Sequence, residues 1–329
     1  MFSRPNPNSP AAILTGWLAA LCGGIIALAL IAGGQGLGAI LGGCRWIGLT
    51  LPLHQQTWAL VNQPTLAFST QGPAVGYWLG GMAACLLVAV LFVPLIPRPQ
   101  GLTSELIAVQ ISWMASVLGL GWMALLDPWD GHLSRFLRLH DMSPVAAWLI
   151  PALGAWAALI PTLHLLALAR GAQPQLSRSG RILTVVIHLV LPAFVWIAAG
   201  VFVVFRTGST FHSSPLEGLG SFLVLWPPIV AAALPSVAAL MMAWLAFPSP
   251  WVNHLEPVRL KMTALLLVTA TVLVGLQLIL GAPSGSGTCR GVLWAHADSR
   301  NNLRPWVTPT SILGAAVLPG VGDNGPGGE

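Results

Sequence analysis

Two histidines are the only strongly titratable side chains deep within the apolar segments of this sequence. His164 lies six residues before Arg170, and His188 lies seven residues after Arg181. At a helical rise of about 1.5 Å per residue, both imidazoles would lie roughly 9–11 Å from the same membrane face. An imidazole can donate or accept a hydrogen bond, or bind a metal, so the pair indicates a candidate binding site.

Two uncharged polar side chains fall near the same depth. Gln110 lies five residues after Glu105, and Thr184 precedes His188 by about one helical turn. We therefore predict a polar layer in the inner leaflet, between the third, fourth and fifth spans. Its members, which we take as candidate cofactor-binding or solute-binding residues, are His164, His188, Gln110 and Thr184.

Three interpretations of the histidine pair stay open at this stage. His164 and His188 would serve as the two axial ligands of a b-type haem, one from each of two adjacent helices. Alternatively, the layer binds a quinone headgroup or a small polar solute, with the imidazoles as donors. The third interpretation is structural: each imidazole hydrogen-bonds a neighbouring helix or a carbonyl that a proline has left unpaired.

Prolines next to both histidines make the structural interpretation concrete. Pro161 precedes His164 by three residues, and Pro192 follows His188 by four. Proline has no backbone N–H, so a carbonyl in the preceding turn loses its helical partner. We predict kinks there and a further kink, or a division into two, in the span that contains Pro235 and the Pro227–Pro228 pair.

The composition decides the class of protein to which these residues belong. Hydrophobic residues make up 55% of the chain and charged residues 7%, and the mean hydropathy is +0.79. A soluble domain needs roughly a quarter of its residues charged. The sequence therefore indicates an integral membrane protein whose principal partner is the lipid bilayer. Its basic residues lie at the ends of apolar segments, so we predict no nucleic-acid partner, while other membrane subunits stay open.

The hydropathy pattern predicts an all-α polytopic transmembrane helix bundle of about seven spans. Ser104 and Glu105 are read as the N-cap and first-turn acid of the third span. A cytoplasmic tail (1–10) precedes the bundle (11–280), and a polar, largely disordered tail (281–329) follows it. The predicted spans are 11–33, 75–96, 106–126, 145–169, 182–205, 219–247 and 258–280.

The distribution of basic residues predicts the orientation. With the N-terminus inside, seven basic residues flank the inner span ends and four lie in outer loops, which favours N-in and C-out. We expect the bacterial inner (plasma) membrane. The inner residues are Arg4, Arg98, Arg170, Arg178, Arg181, Arg259 and Lys261, and the outer ones are Arg45, Arg135, Arg138 and Arg206.

A glycine repeat follows the first span. Gly34, Gly38 and Gly42 recur every four residues, which would allow a helix to approach a neighbour closely. The alternative is a flexible glycine-rich linker. Whether the segment 34–53 inserts into the membrane stays open.

Signatures of enzymes are missing from the sequence. There is no HExxH, P-loop or nucleophile elbow, and we expect no carboxylate within the membrane to serve a proton-driven pump. The leading hypothesis is a non-enzymatic membrane subunit or a permease-like protein that binds a solute or cofactor. The alternative is an electron-transfer subunit that uses His164 and His188 to bind b-type haem or a quinone.

One predicted outer loop is rich in residues that bind divalent metals. It contains two histidines and three aspartates, although their spacing defines no coordination geometry, and solvated loop residues are the alternative reading. Cys44 and Cys289 fall on the same predicted side, so a disulfide between them stays open. The loop residues are Asp127, Asp130, His132, His140 and Asp141, with His54, His212 and His296 on neighbouring loops.

Overall fold

Helices dominate the structure, which is a computed structural model. It describes residues 6–41, 46–50, 58–61, 71–95, 101–122, 149–173, 175–198, 220–245, 258–280 and 292–295. Within these ranges there are seven helices and three short strands. The predicted helical class is confirmed, and each predicted span corresponds to one helix.

The helices and strands have the following bounds. The strands are β1 (Trp46–Thr50), β2 (Trp58–Val61) and β3 (Val292–Ala295). The single-segment helices are α1 (Pro10–Leu41), α2 (Gln71–Leu95), α6 (Gly220–Leu245) and α7 (Leu260–Leu280). The other three are α3 (Leu102–Met114, then a π-helix over Ala115–Trp122), α4 (Leu149–Ala157 and Leu159–Ala172) and α5 (Arg178–Val185, a π-helical turn over Val186–Val190, then 191–198).

Four helices have the length and apolar composition that crossing a membrane requires. They are Pro10–Gly38, Leu102–Leu120, Ala152–Ala172 and Arg178–Ala198. Three shorter apolar stretches of 10–17 described residues belong to α2, α6 and α7. Hydrocarbon offers backbone N–H and C=O groups no partner, so a helix, which satisfies them internally, is the form such segments take. The chain therefore has the helices of a membrane protein.

The first helix is the one around which the others pack. α1 contacts α2, α3 and α7 along its length, and it also contacts the π-helical turn of α5. A second group of contacts joins α3, α4, α5 and α6 around buried Trp113, Leu106, Leu165 and Leu189. These two groups meet at α3, so α1 and α3 together determine where α4 and α5 lie.

Glycines bring α1 and α2 into backbone contact. A Cβ atom built at Gly34 or Gly38 would approach the carbonyl oxygen of Gly80 or Gly76, respectively, closer than 3.0 Å. The reverse is also true, because a Cβ at Gly76 or Gly80 would meet the carbonyl of Gly38 or Gly34. Close approach of this kind is how small residues associate helices in lipid, where apolar burial supplies no driving force.

This contact decides between the two interpretations of the glycine repeat. Gly34 and Gly38 lie inside α1, which is 32 residues long, so close helix approach is confirmed for them and the flexible linker is wrong. Gly42 lies outside the described residues. The predicted span ended at Gly33 because glycine is a poor helix former, yet packing against α2 outweighs that propensity.

Beyond α1, the chain enters a small antiparallel sheet that the sequence analysis did not predict. The strand order is β2-β1-β3, so β1, which lies in the segment 34–53, pairs with both other strands. β3 belongs to the C-terminal tail, and its Trp294 is opposite Leu49 of β1.

α4 and α5 each depart from a regular α-helix close to a proline where we predicted a kink. α4 is interrupted at Ala158, three residues before Pro161, and α5 contains a π-helical turn that ends just before Pro192. The third expectation included a division of the sixth span in two. α6 instead runs as one helix through Pro227, Pro228 and Pro235.

We expect Gly38→Ala to lower the free energy of unfolding by about 1–3 kcal/mol, the usual range for overpacking. The new methyl group would collide with the Gly76 carbonyl, which belongs to a helix backbone and cannot rotate away. Gly33→Ala is the matched control, since a Cβ there meets nothing within 4 Å. Denaturation of both variants in mixed micelles measures the difference. Equal effects at the two positions would contradict the glycine contact.

Candidate functional site

Three consecutive carbonyl groups at the π-helical turn of α5 accept hydrogen bonds from side chains of neighbouring helices. The N–H of Leu191 bonds to the carbonyl of Val186, five residues back, which is the π-helical pattern. The next residue, Pro192, has no N–H to donate. The carbonyls of residues 187 and 188 therefore lose their usual partners, the N–H groups four residues ahead.

Side chains of α1 and α3 donate to these three carbonyls in order. Trp17 Nε1 donates to the carbonyl of residue 187 over 3.1 Å, Gln110 Nε2 donates to that of residue 188, and Trp113 Nε1 donates to that of residue 189 over 2.9 Å. The expectation of carbonyls freed near His188 is thus confirmed. The three bonds hold the π-helical turn between α1 and α3, which places the imidazole of His188 at the junction of three helices.

The His188 ring is fully buried and makes one hydrogen bond. Its Nε2 lies 2.9 Å from the carbonyl oxygen of Pro7, in the segment that precedes α1. Its Nδ1 has no hydrogen-bond partner among the residues that the structure describes. Gly16 of α1 faces this nitrogen, since a Cβ built there would lie 2.7 Å from Nδ1 and 3.8 Å from Gln110 Nε2.

Gln110 completes this arrangement from α3. Its side chain is also fully buried, and its Oε1 atom has no hydrogen-bond partner. We call the group of His188, Gln110, Gly16 and Pro7 the His188–Gln110 site. It contains two buried polar atoms, His188 Nδ1 on α5 and Gln110 Oε1 on α3, that form no hydrogen bond within the described part of the chain.

Thr184 of α5 has partners of its own. Its Oγ1 accepts from Asn8 Nδ2 over 2.9 Å and lies 2.9 Å from the carbonyl oxygen of Gly180, in its own helix. It also lies 3.2 Å from Asn8 Oδ1. Thr184 and His188 thus both bind the segment before α1, through Asn8 and Pro7 respectively, and so hold the N-terminal end of α1 against α5.

His164 forms a different pair, with a carboxyl group. Its Nε2 lies 2.6 Å from Oε2 of Glu105, and both side chains are buried. Glu105 is in the first turn of α3, as predicted, but the N-cap of this helix is Gly101 rather than Ser104. The hydroxyl of Ser104 donates to the carbonyl of Gly101 over 2.8 Å instead of capping the helix.

The position of Glu105 corrects one inference from the sequence. We expected no carboxylate within the membrane-spanning segments, because an acid in a first turn normally faces water. Glu105 instead lies within the apolar helix Leu102–Leu120 and is 4% exposed. Burial of the Glu105 side chain is tolerated because His164 of α4 is its hydrogen-bond partner. Only the packing of α3 on α4 brings these two residues together.

The four predicted site residues therefore fall into three groups. The structure brings His188 and Gln110 together, pairs His164 with Glu105, and places Thr184 against Asn8. Sequence reasoning missed the partners supplied by the N-terminal segment and α1: Pro7, Asn8, Gly16 and Trp17. A signal for Gly16 was present, since it lies five residues into the first predicted span, at about the depth predicted for His188. Glycine, however, carries no chemistry of its own.

Basic side chains secure α5 to α6 at the same end of the bundle. Arg181 is 9% exposed and donates from Nε to the carbonyl of Ala243 over 2.9 Å. Arg178 stacks over the ring of Trp244 at 4.1 Å from its centroid. Arg181, read from the sequence as a marker of topology, thus also joins two helices.

The other candidate groups from the sequence fall elsewhere. The predicted metal-binding loop, its neighbouring histidines, and Cys44 and Cys289 lie outside the described residues. Within the described ranges, no group of three or more histidine, cysteine or acidic side chains is placed to hold a metal ion. The described cysteines, Cys22 and Cys85, are both free and buried.

Comparison with known proteins adds no further guidance. No family model, no curated protein and no solved structure matches this chain. The functional argument therefore rests on the geometry of the chain itself.

A double-mutant cycle measures the contact between His164 and Glu105. We expect Glu105→Leu and His164→Leu each to lower the free energy of unfolding by roughly 1–3 kcal/mol, because each leaves a buried polar group without its partner. The double variant should lose less than the sum, since it leaves no orphan.

Thr271→Val serves as the control for this cycle. Thr271 is exposed on α7 and bonds only to the carbonyl of Leu267 in its own helix, so its replacement should leave stability nearly unchanged. Unfolding in mixed micelles provides the four free energies. Strict additivity of the two single losses would contradict a direct pair.

Proposed function

We propose that this chain is a non-enzymatic, permease-like membrane protein that binds a small polar solute at the His188–Gln110 site. The sequence analysis located the binding region between the third, fourth and fifth spans. The proposal keeps α3 and α5, adds α1 through Gly16, and assigns α4 a supporting role through the pair of His164 with Glu105. We place the protein in the inner (plasma) membrane of a bacterium.

One observation carries the proposal. His188 Nδ1 and Gln110 Oε1 are buried polar atoms without partners, on side chains that are 0% exposed. A buried polar atom without a hydrogen bond costs roughly 1–3 kcal/mol, so two of them on side chains joined by a hydrogen bond are costly unless a bound molecule completes them. Unpartnered polar atoms buried between apolar helices are the expected lining of a solute site.

The surroundings of the site support binding rather than simple packing. The backbone beneath His188 is held by side chains of Trp17, Gln110 and Trp113, which keep the imidazole in one orientation. Such preorganisation lowers the entropy lost when a ligand binds.

Flux through vesicles tests this proposal. Protein reconstituted in liposomes should speed the osmotic swelling caused by small neutral solutes, relative to vesicles without protein. Gln110→Leu should reduce the protein-dependent rate at least tenfold, because it removes one of the two unpartnered atoms and the bond to the His188 carbonyl. Thr271→Val, on the exposed side of α7, should keep the full rate. Equal swelling with and without protein would refute a permease.

The electron-transfer alternative, with His164 and His188 as haem ligands, has a direct test of its own. Both Nε2 atoms already have protein partners, Glu105 and the Pro7 carbonyl, so axial ligation through Nε2 would require both bonds to break. We expect wild-type protein, made with haem available, to show no Soret band in an optical spectrum, oxidised or reduced. A sharp reduced α band that His164→Ala and His188→Ala both abolish would establish the haem instead.

A further inference from the structure

The chemistry of His188 follows from the partner of its other nitrogen. A carbonyl oxygen can only accept, so the 2.9 Å contact with Pro7 requires the hydrogen to be on Nε2. In a neutral imidazole with hydrogen on Nε2, Nδ1 carries a lone pair and accepts. The unpartnered nitrogen of His188 is therefore a hydrogen-bond acceptor.

The unpartnered atom of Gln110 is an acceptor as well. Its amide nitrogen donates to the carbonyl of His188, which leaves the carbonyl oxygen Oε1 as the unused atom. The nearest indole donors are already engaged, since Trp17 and Trp113 donate to the carbonyls of residues 187 and 189. The site thus presents two buried acceptors, and the neighbouring indole donors are committed elsewhere.

The charges near the site favour a neutral occupant. Glu105 is the one carboxylate among the described residues, and it is engaged by His164 rather than by the site. A cation held by two uncharged acceptors would be buried without a counter-charge, and an anion would face two acceptor lone pairs. A neutral molecule with an O–H or N–H group meets neither penalty.

Building on the proposed function, we propose that the solute is a neutral hydrogen-bond donor, bearing a hydroxyl or amide N–H group that His188 Nδ1 and Gln110 Oε1 bind together. Gly16 lies against the ring, since a Cβ there would come within 2.7 Å of Nδ1, so a side chain at this position would crowd the bound molecule. The two acceptor atoms offer no hydrogen bond to molecules that only accept, which include the carbonyl oxygens of an oxidised quinone headgroup.

Nitrogen NMR of the full-length protein in lipid bilayers, with ¹⁵N-labelled histidine, tests the donor requirement. The His188 resonances are identified as those lost in His188→Gln. Glycerol, a neutral hydroxyl donor, should shift the Nδ1 resonance in a saturable way and leave hydrogen on Nε2. Acetone, which only accepts, and methylammonium, a cation, should leave the resonance unchanged.

Two variants locate the bound molecule. Gly16→Ala should abolish the glycerol shift, whereas Gly33→Ala, where a Cβ meets nothing within 4 Å, should retain it. Because a methyl at Gly16 lies so close to the ring, Gln110→Leu provides a second measurement and should weaken glycerol binding at least tenfold. Each variant's melting temperature is recorded beside its spectrum, and a glycerol shift that persists in folded Gln110→Leu would overturn the inference.

Other outcomes would also overturn it. These are hydrogen on Nδ1 instead of Nε2, equal shifts with glycerol and acetone, a shift with methylammonium alone, or an Nδ1 resonance already hydrogen-bonded by water and unmoved by glycerol. Solute flux with an unmoved Nδ1 would refute the donor site and leave a permease standing. A saturable glycerol shift without flux would support the donor site and refute the permease.

Discussion

The structure depends on the need to satisfy backbone carbonyls in an apolar environment. A π-helical turn and a proline together deprive two carbonyls of α5, those of residues 187 and 188, of their usual helical partners, and the carbonyl of residue 189 accepts a side-chain hydrogen bond beside them. Water is not available inside hydrocarbon to replace those partners, so each must come from another helix. Trp17, Gln110 and Trp113 supply them, and in doing so they determine where α1 and α3 lie against α5.

The same constraint explains why polar side chains occur where they do. Gln110 donates an amide hydrogen to the His188 carbonyl, and His188 donates its Nε2 hydrogen to the Pro7 carbonyl. The acceptor atoms Gln110 Oε1 and His188 Nδ1 therefore have no partner among the described residues. A region built to satisfy backbone acceptors thus acquires two side-chain acceptors in their place. These two acceptors make the region a candidate binding site, and Gly16 lies against the His188 ring there.

Two further contacts complete the bundle by different physics. Backbone contact at paired glycines joins α2 to α1, where shape alone determines the fit. A carboxyl group and an imidazole join α3 to α4, where each makes the other's burial tolerable. α1 carries the glycine contact and α3 carries the buried pair, and both helices also contribute to the His188–Gln110 site. A change in either helix therefore affects the site as well as one of these two contacts.

By itself, the sequence determined the apolar helices of a membrane protein, their number, the irregular geometry near the prolines of α4 and α5 and the close approach at Gly34 and Gly38. Each of these follows from local composition: apolar length, the missing N–H of proline, or the missing side chain of glycine. It also singled out His188 and Gln110 as neighbours in depth. Only the tertiary structure decided that His164 pairs with Glu105, that Pro7 and Gly16 meet His188, and that α6 stays whole despite Pro227, Pro228 and Pro235. Those outcomes depend on which helices are neighbours in the bundle. The spacing of residues along one helix does not predict its neighbours.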